Sequence, residues 1–517
     1  MKKIILNPLL LIAVAGLFTV SCKKQLEVTP LTQIDESAAL KTKSGIEGNI
    51  TSIYSNLKAQ VMYGRDMLAV ADALADNGYA TNHSGRLVAE ARNTIPTATT
   101  NHFINWSNWY FNINSINLVL DAIANTDEIK PAPSSVELAR WDGQLRFLRA
   151  LSYFNLAREY AYIPGAVVAG QDKGGVPLML TGIRTADVAS TAKPARASLT
   201  DVYTQIYADL TIAEAKLTNA EPQFPFRANK AAAQTLFALV ALYNKDYVKA
   251  KAMADLAITS HGSRLTTTAT TVSGWRTAVH PESVFEVAFA TAVENLGVNV
   301  SMQSSYTSNL APGNTTVAGW GDLAASASLL ADLGITYNGA FGVSSLSVNT
   351  RSADQRNLLF EAGSPGRGLV YIECTKFISK NGTQYLDNVP VLRVADLYLI
   401  RAEAQCADPA SPTYSLANAL TDLKKIKSSR ITGYTGSADE TADNAMGQTA
   451  LFNEVLRQRR IEFAMEGHRF FDLKRLGRDM IKSPAYSDVP ANDFRILPAI
   501  PQGDINLNPN LKQNFGY

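Results

Sequence analysis

The chain has 517 residues, 46% of them hydrophobic and 18% charged, with 48 Lys and Arg against 46 Asp and Glu. That length buries a large core, and the composition excludes a disordered chain, in which charge runs high and apolar content low. Once Lys2 and Lys3 leave with a leader segment, basic and acidic residues balance, so no sequence-wide basic surface serves nucleic acid. The three cysteines, Cys22, Cys374 and Cys406, make no disulfide framework and, without a CxxC pair, no typical zinc site.

Met1-Lys2-Lys3 precedes an apolar run from Leu9 to Phe18, and then Thr19-Val20-Ser21-Cys22. As a helix this run spans roughly 15 Å, about half a bilayer core. Residues 1–21 therefore read as a cleaved leader and not as a spanning helix. Small residues directly before a cysteine resemble a bacterial lipobox, with Thr19 where Leu is usual, and cleavage leaves Cys22 as a lipid-modified first residue. No later apolar stretch reaches spanning length. The expected protein is a folded body held to a membrane by the lipid on Cys22 and a polar tether, residues 22–34.

From residue 35 to 260 helical periodicity dominates. Ile46, Ile50, Ile53 and Leu57 make one stripe; Trp106, Trp109, Ile113, Ile116 and Leu120 make another. Leu138, Trp141, Leu145 and Leu148 follow, and then Leu199, Val202, Ile206, Leu210, Ala213 and Leu217 behind an N-cap at Ser198. A helical hairpin stands out at 229–260: Asn229 caps the first helix, residues 244–246 form the turn, and Ala238, Ala250, Ala254 and Ala257 let the two helices approach closely. It resembles a tetratricopeptide unit with alanine at that repeat's large aromatic positions. Weaker copies lie at 136–161 with 199–217, and at 391–406 with 414–429.

Residues 261–390 change texture. Ser, Thr, Gly and Asn dominate, and only Val284 to Phe289 and Leu369 to Ile372 read as strands. A long segment of this kind is variable or functional surface. Helix returns at 449–476, and the tail from Pro498 is expected to be extended. The fold class is mainly α: about four tetratricopeptide-like hairpins and a loop-rich insertion at 261–390, the 35–260 and 261–517 halves forming one globular unit.

No HExxH, G-x-S-x-G, GxGxxG or P-loop occurs, and the five histidines include no pair at ligand spacing. Gly363-Ser364-Pro365-Gly366-Arg367-Gly368 lacks the Lys-Ser/Thr of a phosphate loop and reads as a turn. No cofactor, no metal and no catalysis are expected. The densest charged block holds Glu462, Glu466, Arg469, Asp472 and Arg475 at helical neighbour spacings. It reads either as a catalytic or ligand-binding acid-base cluster or as a structural ion network pinning a helix to the body, and the weight lies with the network.

Several of these stretches together resemble the SusD/RagB family of outer-membrane nutrient-binding lipoproteins. They are Lys24 to Pro30 after the lipobox, Trp109-Tyr110, Arg146 to Ala150 with Tyr153-Phe154, and Val176-Pro177-Leu178. The C-terminal matches are Asp396 to Ala404, Arg459 to Gly467 running into Arg469 to Arg475, and Leu497 to Pro501. The resemblance implies a cell-surface lipoprotein of the outer membrane that captures oligosaccharides without cleaving them. It also implies a partner, a SusC-like TonB-dependent β-barrel that receives the sugar. The alternatives are a tetratricopeptide-type scaffold for protein partners and a peptide-binding import subunit.

Sugars stack their C–H faces on flat aromatic rings while their hydroxyls pair with Asn, Asp and Arg, so aromatics on loops outrank those in helix stripes. That points to Asp76, Asn77, Tyr79 and Arg86 in one loop, and to Trp275, Tyr306 and Trp320 in the irregular segment. Trp106, Trp109 and Trp141 are expected in the core.

Overall fold

Apolar stripes and capping residues set where the helices lie in the computed structural model, which describes residues 39–94, 102–262 and 264–517. Cys22, the leader and the tether lie outside the described residues. Helix α1 (Lys43–Asn56) buries Ile46, Ile50 and Ile53, and α2 (Asp66–Leu74) is buried along its whole length. α3 (Trp106–Ala124) sinks Trp106, Trp109, Ile113 and Ile116 into the core. α4 (Ser135–Tyr160) opens on a capping box, in which the Ser134 hydroxyl accepts from the Glu137 amide while the Glu137 carboxylate accepts from Ser134 N–H. α5 (Leu199–Lys216) starts at Ser198 and α6 (Lys230–Tyr243) at Asn229, each cap side chain taking the amide three residues on.

Each stripe buries itself on a neighbouring helix. α4 packs on α5, α6 on α7 (Tyr247–His261), and α8 (Val394–Cys406) on α9 (Leu416–Arg430); α1 with α3 makes a fourth pair. Ala238, Ala250, Ala254 and Ala257 are fully buried where α6 and α7 meet. α7 also packs on α8, which joins the two halves of the chain directly. One buried apolar cluster runs from Leu40 to Leu511. Among the described residues no helix is long and apolar enough to cross a membrane.

The segment before α8 is built from two-stranded antiparallel ribbons. β1 (Gly78–Ala80) pairs with β5 (Leu323–Ala325), and β2 (Ser283–Val287) with β10 (Val389–Arg393). β3 (Asn309–Ala311) pairs with β4 (Asn314–Val317), β6 (Ile335–Asn338) with β7 (Ser347–Arg351), and β8 (Phe360–Ala362) with β9 (Ile372–Cys374). The second expected strand is displaced from 369–372 to β9, because the Val370 carbonyl is taken by the Leu346 amide.

The continuous helix expected at 449–476 is broken. α10 (Gln448–Glu462) ends in a tight turn, and α11 (Arg469–Leu476) restarts beyond it. Gly467 makes the turn at φ 76° against α2, where a Cβ would fall 2.6 Å from the Met67 carbonyl oxygen. The extended tail is likewise interrupted, by a short helix at Gln502–Leu507. It is tied down by Asn514, whose side chain donates to the carbonyls of Tyr160 and Pro498.

Candidate ligand-binding site

Pairing of β1 with β5 decides which distant residues meet. Tyr79 lies opposite Ala324 in the ribbon, so the 76–86 loop comes beside the 319–322 turn. Thr81 secures the junction by donating from its hydroxyl to the Gly321 carbonyl at 2.7 Å. Tyr79 is half-buried and projects into a group of rings: Tyr486 stacked at 5.6 Å, Tyr371 tilted at 5.4 Å, and Phe341 edge-on at 4.9 Å. With Gly342, Val343, Ile481 and the 483–485 loop, Tyr79, Phe341 and Tyr486 line a cleft of about 390 Å³. Val343 is 75% and Ile481 53% exposed, so the rim carries apolar surface that none of the described residues covers.

The charges around the cleft are largely spent. Asp76 accepts from Arg469 at 2.7 and 2.8 Å. Burial works to raise its pKa, but the Arg469 hydrogen bonds and the Arg460 charge outweigh it and hold the carboxyl below its usual range. Asn77 is buried and accepts from Arg460. Lys482 on the cleft wall is buried and donates to the carbonyls of Ala73 and Ala91, and burial lowers its pKa to about 7. Burial also pushes the Tyr371 and Tyr486 phenols up to about 12, so both rings stay neutral.

Trp320 lies outside the residues that line the cleft and is linked to Tyr79 through His83 and Tyr371. Its carbonyl faces Nδ1 of His83 at 2.9 Å, and His83 packs against Tyr371 at 5.6 Å. Arg86 is held by Asp322 at 3.0 Å. Of the seven residues proposed from the sequence, Tyr79, Arg86 and Trp320 are thus gathered at one place, and Asp76 and Asn77 support it from below.

Trp275 and Tyr306 depart from the expectation. Trp275 is 3% exposed, its ring enclosed by His280 and Phe377 and faced by Lys376, Lys380 and Arg393. Tyr306 has no exposed surface, and its hydroxyl donates to Asp72 at 2.9 Å. Neither presents a ring face to a ligand. The weak periodicity around them predicts loops, but each ends a short helix, Thr271–Gly274 and Met302–Tyr306, packed into the core. Trp106, Trp109 and Trp141 are buried, as their stripes require.

Comparison with known proteins adds a lineage to this geometry. Residues 26–242 match the family profile described as "Starch-binding associating with outer membrane", and residues 364–517 match that of the SusD family. Between them the two matches cover well over half of the chain. The chain belongs to the SusD family. Among solved structures, a SusD superfamily protein of Bacteroides thetaiotaomicron VPI-5482 superposes with a TM-score of 0.74 at 23% identity, over 91% of this chain and 98% of its own. A SusD-like carbohydrate binding protein of Bacteroides vulgatus ATCC 8482 gives 0.69 at 17%, over 90% and 96%. A laminarin binding SusD-like protein gives 0.63 at 19%, over 92% and 100%. These likenesses show a shared fold. A search of curated proteins returned no match.

The SusD-family C-terminal match contains the charged block, and here it forms a buried knot. Glu462 accepts from Arg393 at 2.9 Å and from Arg430 at 3.0 and 3.1 Å. Glu466 accepts from Lys376 at 2.6 Å and from Arg393 at 2.9 Å. Asp472 joins Arg459 to Arg475. Burial opposes ionisation of Glu462, but Arg430 and Arg393 overcome it and drive the pKa well below the usual range. Arg469 does not bond Asp472, the partner its spacing suggested. The break before α11 swings it away to Asp76, beneath the Tyr79 cleft.

The sequence reading missed Phe341 and Tyr486, which line the cleft, and His83, Tyr371 and Arg367, which lie outside its lining around Trp320. Phe341 lies between glycines, Arg367 in the Pro-Gly turn and Tyr486 after Pro484. An aromatic or Arg beside Gly or Pro was the available signal.

Proposed function

We propose that this chain is a cell-surface glycan-binding lipoprotein that captures oligosaccharides in the Tyr79 cleft and passes them, uncleaved, to a TonB-dependent barrel of the outer membrane. The carrying observation is the set of half-buried rings of Tyr79, Tyr486 and Phe341 around an open cleft of about 390 Å³. Aromatic faces left partly in water gain when the apolar side of a sugar ring covers them, and the neighbouring backbone and Ser side chains are suited to its hydroxyls. Membership of the SusD family and the sugar ligands of two structurally similar proteins support the reading. The lipobox supports attachment through Cys22, so Cys22→Ala should move the protein from the membrane to the soluble fraction.

The test of the cleft is affinity electrophoresis on a panel of soluble polysaccharides. On a glycan that retards the wild type, Tyr79→Ala and Tyr486→Ala should each weaken retention about tenfold, the worth of one good aromatic contact. Wild-type mobility of both variants would remove the cleft from consideration. Co-purification with a barrel but retention on no glycan would favour the protein-scaffold reading instead.

A further inference from the structure

Beside the cleft, around Trp320, stands a grouping that stacking of neutral sugars leaves unused. The guanidinium of Arg367 lies over the Trp320 ring, 3.8 Å from its centroid, and that of Arg86 lies 5.7 Å away. The two cations differ in what they have spent. Arg86 donates from Nε to Asp322 at 3.0 Å, and its buried Nη2 has no acceptor. Arg367 donates from Nε to the Gly319 carbonyl at 2.8 Å. Among the described residues no carboxylate pairs with Arg367, and neither of its Nη groups has an acceptor.

The acids nearby do not cancel this charge. Asp322 is occupied by Arg86 and Ser84. Glu373 lies beneath Gly321 (φ +60°), where a Cβ would come 2.3 Å from its Oε1; its oxygens accept from Ser308 and Thr307. Burial pushes its carboxyl up to about 7, which lessens its charge at neutral pH. The short turn Pro365–Arg367 carries Arg367 at the surface between exposed Gly366 and Gly368.

A guanidinium laid on an indole keeps its plane fixed and leaves the Nη edge open. The groups that match this edge are planar or tetrahedral oxyanions, which accept two parallel, charge-assisted bonds. We propose that the Trp320 surface beside the cleft is a subsite for a negatively charged sugar substituent, a carboxylate or a sulfate, received by Arg367 with Arg86 in support. The proposal rests on the glycan-binding reading of the cleft. A net charge near zero over the whole chain does not oppose it, because a ligand feels charges within a Debye length of about 8 Å.

The experiment measures retention of the purified protein by polygalacturonate and its carboxyl-reduced neutral form, by a sulfated glucan and its desulfated form, and by amylose. The wild type should bind one charged polymer roughly tenfold more tightly than its neutral counterpart, the worth of one charge-assisted pair. Which pair responds distinguishes carboxylate from sulfate. Arg367→Ala should abolish that preference and leave retention by neutral polymer within about twofold. Arg367→Lys should keep part of the preference, and Lys425→Ala, a distant exposed control, all of it. An Arg367→Ala variant with undiminished preference, or a wild type indifferent to charge, overturns the subsite. Retention by neutral polymers alone does so while leaving the glycan reading intact; retention by none of them ends both.

Discussion

The knot around Glu462 and the cleft around Tyr79 both gather reactive or sticky side chains, and they treat them in opposite ways. In the knot each carboxylate is sealed from water and its oxygens are taken by cations: Arg393, Arg430, Arg356 and Lys376 on Glu462 and Glu466, Arg459 and Arg475 on Asp472. In the cleft, rings are left half in solvent and the rim carries exposed Val343 and Ile481. Desolvated charges are tolerable only while paired, so the knot's bonding capacity is exhausted and its loss is felt by the whole fold. Half-exposed rings cost little to display and gain when covered. What a cluster has left over, more than which residues compose it, separates structure from function here.

Breaking the knot should give the largest effect. Glu462→Ala leaves Arg393 and Arg430 without their central acceptor in a dry site, a loss of about 3–5 kcal/mol. Denaturant unfolding should show it, while the affinity of the folded fraction for glycan stays unchanged. An unaltered midpoint would mean that the knot carries no stability.

The two tryptophans sharpen the same contrast. Trp275 closes the knot and is buried; Trp320 lies beside the cleft. Trp275→Ala should cost about 3–5 kcal/mol of stability through the cavity it leaves, without altering glycan affinity. Trp320→Ala should cost about 1 kcal/mol or less in stability and show its effect in retention. Comparable destabilisation by both variants would erase the distinction between the regions.

Much of the helical frame was legible from residue spacing, since Ile46–Ile53, Trp106–Ile116 and the caps Ser198 and Asn229 act within a turn or two of themselves. The break between α10 and α11 was not, because it depends on Gly467 meeting the Met67 carbonyl across 400 positions of chain. The cleft was legible in part. The 76–86 loop and Trp320 were singled out by composition, but their meeting depends on the β1–β5 pairing, which no local pattern encodes. Trp275 and Tyr306 show the cost of equating weak periodicity with surface. Helices of four and five residues, Thr271–Gly274 and Met302–Tyr306, hold these rings as deeply as a long helix stripe does, and are too short to leave a period to read.

Glu373 belongs to neither type of region, and its substitution should give the effect most diagnostic in form, a dependence on pH. It is buried like the knot's acids, yet among the described residues no cation pairs with it, and it sits under the Trp320 turn. Burial raises its pKa from 4.5 to about 7, ahead of the Ser308 and Thr307 hydrogen bonds that lower it. A folded-state pKa above the unfolded value means that the native state holds the proton more tightly. The resulting stabilisation is full below about 4.5 and is lost as pH rises through about 7. Glu373→Gln has no such dependence. Asp72 and Glu159, which burial shifts up to about 7 and about 8, titrate nearby but do so in both proteins. The melting temperature of the wild type minus that of Glu373→Gln should therefore fall steadily from about pH 5 to pH 8. A flat or rising difference would show that Glu373 is an ordinary ionised acid, and its charge would then have to be counted against Arg367 beside the cleft.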